Sequence, residues 1–316
     1  MKSGSGSGDS RRTARVRAVR GTTGKTRART GTKAEVGPGL LPADALAGQV
    51  AVVTGGGRGL GRALSLSLAA AGASVAIVAR SLDHLTSSIA AITASGGKAA
   101  AFAVDVTNEI GIERVSRRIE SEVGPVDILV NNAGMGPPYG PVREIDPEEW
   151  WRCIEVNVRG PLLCTRAFLP GMVARRRGRI VNIASGAGTK AIPNLSAYAV
   201  AKTAVIRFTE ILAAESRESG ISVFAIEPGT TRSGMTEAAL ASPEARKWLP
   251  WLERIFDERR DVTPDGAAAL VNFLASGKAD ALTGRFITVD DDLASMIRRA
   301  KEIEAKDFHT LRLRTS

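Results

Sequence analysis

Apolar residues fall into short, nearly continuous runs that alternate with longer stretches of helical periodicity. Seven of these runs, rich in β-branched residues, predict strands over 50–54, 74–79, 99–104, 126–131, 179–183, 221–227 and 286–289. Strands that are apolar throughout and separated by helices are typical of a parallel sheet covered on both faces. The pattern therefore predicts a single doubly wound α/β domain around a seven-stranded parallel sheet.

Three of the predicted helices begin with a clear capping signal. Asp146, Ser242 and Thr263 are each followed directly by a proline. A short polar side chain can accept a hydrogen bond from the free N–H groups of a helix, and proline is favoured at the first helical position. We therefore expect a helix to begin immediately after each of these residues.

The first 39 residues have a different composition, rich in Gly, Ser, Thr and Arg. Residues 1–35 hold ten of the 43 Lys and Arg and two of the 33 Asp and Glu, so they account for most of the formal charge of +10. We expect 1–39 to be a disordered basic tail, because it has little to bury. A solvated tail, weak anion binding and a targeting segment all fit this composition. The nearly neutral body argues against specific nucleic-acid recognition.

The remaining composition excludes several classes of protein. No run of 18 apolar residues indicates a membrane span, and the N-terminus has no apolar core of the secretory type. The chain has two cysteines, Cys153 and Cys164, which is too few for a metal site and suggests two buried thiols. We expect a cytoplasmic protein without a metal.

A glycine-rich turn from Thr54 to Gly61 directly follows the first predicted strand. A strand, a glycine-rich turn and a helix form the Rossmann-type arrangement, in which backbone N–H groups at the helix N-terminus approach the pyrophosphate of a dinucleotide. The predicted cofactor contacts in this turn are Gly55, Arg58, Gly59, Leu60 and Gly61.

The end of the second strand decides which dinucleotide is preferred. NAD enzymes usually place an acidic residue there for the ribose hydroxyls, whereas this strand ends in Arg80. Arg80 and Arg58 together offer two guanidinium groups suited to a 2′-phosphate. The sequence therefore favours NADP(H), with NAD(H) possible.

The next two strand ends supply further candidate contacts, because ligands of doubly wound sheets gather at the carboxyl ends of strands. Asp105 and Val106 are expected near the adenine. Asn132, Ala133 and Gly134 are expected beside the ribose and the nicotinamide.

Tyr198 and Lys202 stand four residues apart in a predicted helix, thirteen residues after Ser185. Residues four apart lie on one face of a helix, so the ammonium is expected to lower the pKa of the phenol toward the range of general acid–base catalysis. Tyr-x-x-x-Lys alone is a weak signal. Its spacing to the serine and to the glycine turn makes it specific.

These motifs together resemble the short-chain dehydrogenase/reductase family over about residues 47–289. The resemblance rests on the glycine turn, Asn131 to Gly134, Asn157, Ser185, Tyr198-x-x-x-Lys202 and Pro228-Gly229. It implies a single domain, a small carbonyl or alcohol substrate, and a homo-oligomer, either dimer or tetramer.

The resemblance also implies residue roles. Tyr198 is expected to be the general acid/base, Ser185 to bond the substrate oxygen, and Lys202 to bind the nicotinamide ribose. Asn157 is expected to hold a water that connects Lys202 to solvent. Pro228, Gly229 and Thr231 are expected beside the nicotinamide. A non-catalytic dinucleotide sensor on the same fold is the competing function, but it has no need for all four catalytic residues.

One stretch beyond Pro228 bears on the substrate side. A long segment without a strand separates Pro228 from Thr263. A helix with a kink at Pro250 is expected there. Its apolar face could pack on the protein's own core, cover the substrate as a lid or contact another subunit. The residues of this face are Trp248, Trp251, Leu252, Ile255 and Phe256. Met135, Pro137, Pro138 and Tyr139 are expected to form the opposite wall.

The chain departs from the family's pattern in two places. It has Ser233 where the family often has a threonine, and the last strand runs into Asp290 and two more aspartates. Residues 291–316 are expected to form an extension that packs on the body or on a neighbouring subunit, with a short strand over 308–314.

Overall fold

A computed structural model describes residues 41–313 of the chain. Seven strands form one sheet in the order β3-β2-β1-β4-β5-β6-β7, and every pair of neighbours is parallel. The strands are β1 (Val50–Thr54), β2 (Ser74–Ala79), β3 (Lys98–Ala103), β4 (Ile128–Asn131), β5 (Gly178–Ile183), β6 (Ile221–Glu227) and β7 (Phe286–Thr288). The predicted doubly wound parallel sheet is confirmed.

Helices cover both faces of this sheet. One face carries α1 (Gly59–Ala70), α2 (Leu82–Ala94) and α10 (Asp265–Ala275), and the other carries α3 (Glu109–Glu122), α5 (Gly160–Arg175) and α6 (Ser196–Ser216). The remaining helices are α4 (Pro147–Ile154), α7 (Gly234–Ala241), α8 (Pro243–Trp248), α9 (Pro250–Asp257), α11 (Leu293–Arg298) and α12 (Ala300–Ala305).

Strand β1 shows why the apolar runs are continuous. Successive side chains of a strand point to opposite faces. Ala51 and Val53 pack into the core under α1 and α10, whereas Val50 and Val52 pack into the core under α3 and α5. Both faces of β1 are therefore buried, and a polar residue on either face would be removed from water.

Most predicted boundaries agree with the structure to within two residues. Helices α4 and α8 begin at the predicted prolines, and Asp146 Oδ1 accepts a hydrogen bond from the Glu148 N–H at 2.8 Å. Helix α10 begins one residue later than predicted, at Asp265. Strand β4 begins at Ile128 instead of 126, and Asp127 just before it accepts a bond from the Val50 N–H at 3.1 Å.

The segment after β7 packs against the body of its own chain. Leu293, Met296 and Ile303 of α11 and α12 are buried in the core beneath α10. Asp292 caps α11, which gives the aspartates after β7 a structural role. The predicted strand over 308–314 is wrong for its described part, because Asp307 and His309 have positive φ and turn the chain.

Within residues 41–313, no helix is long and apolar enough to cross a membrane. The same part of the chain contains no group of three or more His, Cys, Asp or Glu side chains that could hold a metal ion. The predicted disordered tail, residues 1–39, lies outside the described residues.

Candidate active site

A cleft of about 750 Å³ opens at the carboxyl ends of the strands. It lies where the strand order reverses, with β2 on one side of β1 and β4 on the other. Ligands of doubly wound sheets bind at this position. The cleft is lined by every residue predicted to bind the cofactor or to act in catalysis except Asn157, which is buried beside Gly134. The roles of these residues stay predictions.

The glycine turn brings two segments of backbone into close contact. Gly55 has a φ of +67°, and a Cβ atom there would lie 2.9 Å from Ala133 Cα. A Cβ atom on Gly61 would lie 2.2 Å from the Gly55 carbonyl oxygen. Only glycine fits at either position, and the first turn of α1 is left open to the cleft.

Thr54, the last residue of β1, holds this turn against the end of β4. Its Oγ1 accepts hydrogen bonds from the backbone N–H groups of Asn132 and Ala133, each at 3.0 Å. The Asn132 side chain in turn donates to the Thr54 carbonyl oxygen at 2.9 Å. Sequence reasoning gave Thr54 no role, although a polar residue that ends an apolar strand is a usable signal.

The two arginines predicted to select NADP(H) both line the cleft and are exposed. Arg80 Nη1 lies 3.6 Å from Asp105 Oδ2, and the Arg58 guanidinium lies against Gly234 of α7. Burial raises the pKa of Asp105, but hydrogen bonds from Thr107 and the charge of Arg80 outweigh it, so the net pKa is lowered. Asp105, predicted to contact adenine, is thus an ion-pair partner of Arg80.

Helix α6 carries Tyr198 and Lys202 into the base of the cleft. Lys202 is 5% exposed, and its Nζ donates a hydrogen bond to the Ile183 carbonyl oxygen at 2.8 Å. The same Nζ lies 5.4 Å from the centroid of the Tyr198 ring. Ser185 follows β5, and its Oγ accepts a bond from the Ala187 N–H at 3.1 Å. Three candidate catalytic side chains therefore meet at one point.

The expectation that Lys202 lowers the pKa of the phenol does not hold in this structure. Burial raises the pKa of Tyr198 to about 12, and a hydrogen bond with Ser185 offsets this only in part. Burial also lowers the pKa of Lys202 to about 8. The physical reason is that both groups have lost water, which disfavours both the phenolate and the ammonium.

Asn157 sits in a π-helical turn, Glu155–Arg159, between α4 and α5. Its Nδ2 donates to the carbonyl oxygens of Met135 at 3.0 Å and Cys153 at 2.9 Å. Its Oδ1 is buried and has no partner within residues 41–313. π-Helical turns are frequent at functional sites. The composition of this segment does not predict one.

The segment after β6 closes the substrate side of the cleft. Gly229 has a φ of +74°, and Thr231 pairs with Val262 in an isolated parallel bridge. Beyond them, one wall is formed by Leu249, Trp251, Leu252 and Ile255. The facing wall has Met135, Pro137 and Tyr139, without the predicted Pro138.

Pro250 does not kink a helix as predicted. Helix α8 ends at Trp248, and α9 starts at Pro250. Proline lacks an N–H group and is favoured at a helix start, so it separates two short helices. Of the predicted lid side chains, Trp248 lies beside Gly140, and Phe256 is buried below Arg232, whose Cζ is 5.0 Å from the ring centroid. The other three face the cleft.

A doubly wound sheet with a glycine turn and a tyrosine–lysine helix in one cleft defines a dinucleotide-dependent class of enzyme. The family described as short chain dehydrogenase matches residues 49–244. This chain belongs to that family.

Curated relatives and solved structures agree with this assignment. A short chain dehydrogenase of Pseudocercospora fijiensis (strain CIRAD86) is 36% identical over 81% of this chain and 85% of its own length. Galactitol 2-dehydrogenase of Rhizobium johnstonii is 36% identical over 78% and 95%. L-Sorbose reductase from Gluconobacter frateurii, solved with NADPH and L-sorbose, has a TM-score of 0.71 and 31% identity over 79% and 97%. The protein is an oxidoreductase acting on CH–OH groups with a nicotinamide dinucleotide.

Proposed function

We propose that this protein is an NADP(H)-preferring carbonyl reductase or alcohol dehydrogenase with Tyr198 as its general acid/base. The observation that carries the proposal is the meeting of Tyr198, Ser185 and Lys202 at the base of a cleft lined by the glycine turn. L-Sorbose reductase, which is similar in fold, has been solved with NADPH.

The residues present fit a dinucleotide. Gly55 and Gly61 leave no room for a side chain, so the backbone at the start of α1 stays accessible to a pyrophosphate. Arg58 and Arg80 would hold the 2′-phosphate, and the Asn132–Gly134 backbone would lie along the ribose. Lys202 and Tyr198 would bind the nicotinamide ribose, and Pro228, Gly229 and Thr231 would border the nicotinamide ring. The bound cofactor supplies or accepts the hydride.

The chain's own residues then handle the proton and orient the substrate. A phenol with a pKa of about 12 is protonated at neutral pH, so Tyr198 can donate its proton to a carbonyl oxygen. Ser185 would donate a hydrogen bond to the same oxygen. The Oδ1 of Asn157, which has no partner within residues 41–313, is a buried acceptor beside Gly134, and it would hold a water that returns the proton from solvent.

The two apolar walls favour a substrate with an apolar body. Leu249, Leu252 and Ile255 on one side, and Met135 and Pro137 on the other, would contact the part of the substrate away from the reacting group. We also propose a homo-oligomer, because α5 and α6 leave apolar side chains exposed: Leu162, Val173, Val200 and Ile211. Light scattering after size exclusion tests the assembly.

The decisive experiment is a panel of aryl and alkyl ketones and their alcohols, read by NADPH oxidation and NADP⁺ reduction, with NADH and NAD⁺ in parallel. We expect turnover with NADPH at lower KM than with NADH. Tight NADPH binding without turnover of any compound would favour the non-catalytic sensor instead. Equal kcat/KM with NADH and NADPH would contradict the proposed cofactor preference but not the proposed reaction.

A further inference from the structure

Glu227, the last residue of β6, places a carboxylate in the cleft beside the catalytic serine. It lines the cleft together with Ser185 and Gly186. A Cβ atom on Gly186 would lie 2.6 and 2.9 Å from the two carboxylate oxygens of Glu227. The carboxylate therefore rests against Gly186, one residue after Ser185, in space that exists because residue 186 has no side chain.

This carboxylate makes no hydrogen bond and no ion pair with any residue of the described range 41–313. Two carboxylates with little exposed surface, Glu210 and Asp127, are both paired. Glu210 binds Arg207, Arg312 and the Leu311 N–H, and Asp127 binds Arg177 and the Val50 N–H. Glu227 is partly buried and faces the open cleft, so its two acceptor oxygens are available to a bound molecule.

The chemistry of the group limits what it can bind. An ionised carboxylate is an acceptor only, so its partner must be a donor. Lys190 and Lys202 line the same cleft and disfavour a cationic partner. Neutral N–H and O–H donors remain, and a hydroxyl group is the one that the proposed alcohol and carbonyl substrates carry. Ser185 would hold the reacting oxygen of the substrate next to Gly186, against which the Glu227 carboxylate lies. The hydroxyl group that Glu227 binds is therefore expected close to the reacting carbon.

We propose that Glu227 is a specificity-determining residue that accepts a hydrogen bond from a substrate hydroxyl adjacent to the reacting carbonyl. The preferred substrates are then α-hydroxy ketones, or the corresponding vicinal diols, with an apolar remainder against Trp251 and Leu252. The inference rests on the proposed carbonyl reductase function and names its substrate class.

The test compares matched ketones that differ by one hydroxyl group: 2-hydroxyacetophenone with acetophenone, and 1-hydroxy-2-heptanone with 2-heptanone. Wild type is expected to show the higher kcat/KM for the hydroxylated member of each pair. Glu227→Ala should reduce that ratio by about 10- to 150-fold, the range for one hydrogen bond to a charged group. Glu227→Gln keeps an acceptor oxygen and should reduce it less.

Glu237→Ala is the matched control, because Glu237 is an exposed glutamate of α7 outside the cleft. Its selectivity ratio should equal that of wild type. If Glu227→Ala does not fold, Gly186→Ala tests the same contact, because the added Cβ displaces the carboxylate and retains its charge. An unchanged ratio in Glu227→Ala, or in Gly186→Ala where it takes its place, overturns the proposal.

A binding measurement separates this proposal from the proposed function. In Tyr198→Phe protein saturated with NADP⁺, calorimetry should show tighter binding of 1-phenyl-1,2-ethanediol than of 1-phenylethanol. Adding Glu227→Ala should abolish that difference. If wild type turns over no ketone but the difference in alcohol affinity is present, the proposed reaction is contradicted and the Glu227 contact is supported. Equal affinity for both alcohols with Glu227 present contradicts the contact alone.

Discussion

The two halves of the cleft are built in different ways. The cofactor half, at the ends of β1 to β4, is formed largely by backbone, which Gly55, Gly61 and Thr54 hold in place. The substrate half, after β6, is formed by side chains on the short helices α7, α8 and α9. Backbone recognition demands particular small residues in a fixed order, whereas a wall of side chains accepts many apolar sequences. The first half therefore tolerates few substitutions, and the second tolerates many.

Tyr198 lies where the two halves meet, and its replacement should have the largest effect. Tyr198→Phe removes the proton donor and retains the ring, so turnover should fall by roughly 10²- to 10⁴-fold. NADPH affinity, measured by fluorescence titration, should change little.

The chain offers a matched control, since Tyr139 is its only other tyrosine and also lines the cleft. Tyr139→Phe should leave most of the turnover intact. More than about a tenth of wild-type turnover in Tyr198→Phe would exclude the acid/base role assigned from its chemistry.

The same contrast explains how much the sequence predicted. The central strands were predictable because both of their faces are buried, and the glycine turn because Gly55 and Gly61 tolerate no side chain. Strand β3, at the edge of the sheet, is largely exposed and was predicted from its run of apolar residues alone. The π-helical turn around Asn157 and the break between α8 and α9 depend on tertiary packing, which leaves no periodic signal. The high pKa of Tyr198 was missed for the same reason, since burial is a property of the fold and the Tyr-x-x-x-Lys spacing does not report it.

A second prediction tests the burial of Lys202. Its pKa is lowered to about 8 from an ordinary value of 10.5. Between these two pH values the unfolded chain binds a proton that the native state has released, so this group makes the protein more stable as pH rises. Over pH 8 to 9.5 the gain should reach about 2 kcal/mol. Denaturant unfolding at each pH measures it.

Lys202→Met lacks this titration, so the free energy of unfolding of wild type relative to the variant should rise across that window. The comparison stops below pH 10, because the raised pKa of Tyr198 acts with the opposite sign from 10 to about 12. Lys190→Met, which changes an exposed lysine of the same cleft, should follow wild type. Parallel curves for wild type and Lys202→Met would contradict the burial argument.

A third prediction concerns the cofactor half. Arg80→Asp should weaken NADPH binding by roughly 10- to 100-fold, because it removes a charge-assisted bond worth about 1.5–3 kcal/mol. The new aspartate would also stand beside Asp105, so the region becomes more negative. Arg58 remains, and a complete switch to NADH is not expected. The ratio of Kd values for NADPH and NADH measures the effect.

Arg117→Asp on α3 controls for the change in net charge, since Arg117 is exposed and lies outside the cleft. It should leave the cofactor ratio as in wild type. A wild-type ratio in Arg80→Asp would show that the end of β2 does not select the cofactor.

The smallest effect is expected in the substrate half. Trp251 is 36% exposed and shares its wall with other apolar side chains, so Trp251→Ala removes only part of the apolar contact. At about 25 cal/mol per Å² of lost burial, we expect the KM of an aryl ketone to rise by roughly 3- to 10-fold. The KM of NADPH should stay constant, because the cofactor half does not depend on this side chain. Trp151→Ala, on α4 and 58% exposed, provides the control for loss of an indole. If Trp251→Ala raised both KM values equally, the two halves would be coupled through α9, and the division between a backbone-built and a side-chain-built half would be wrong.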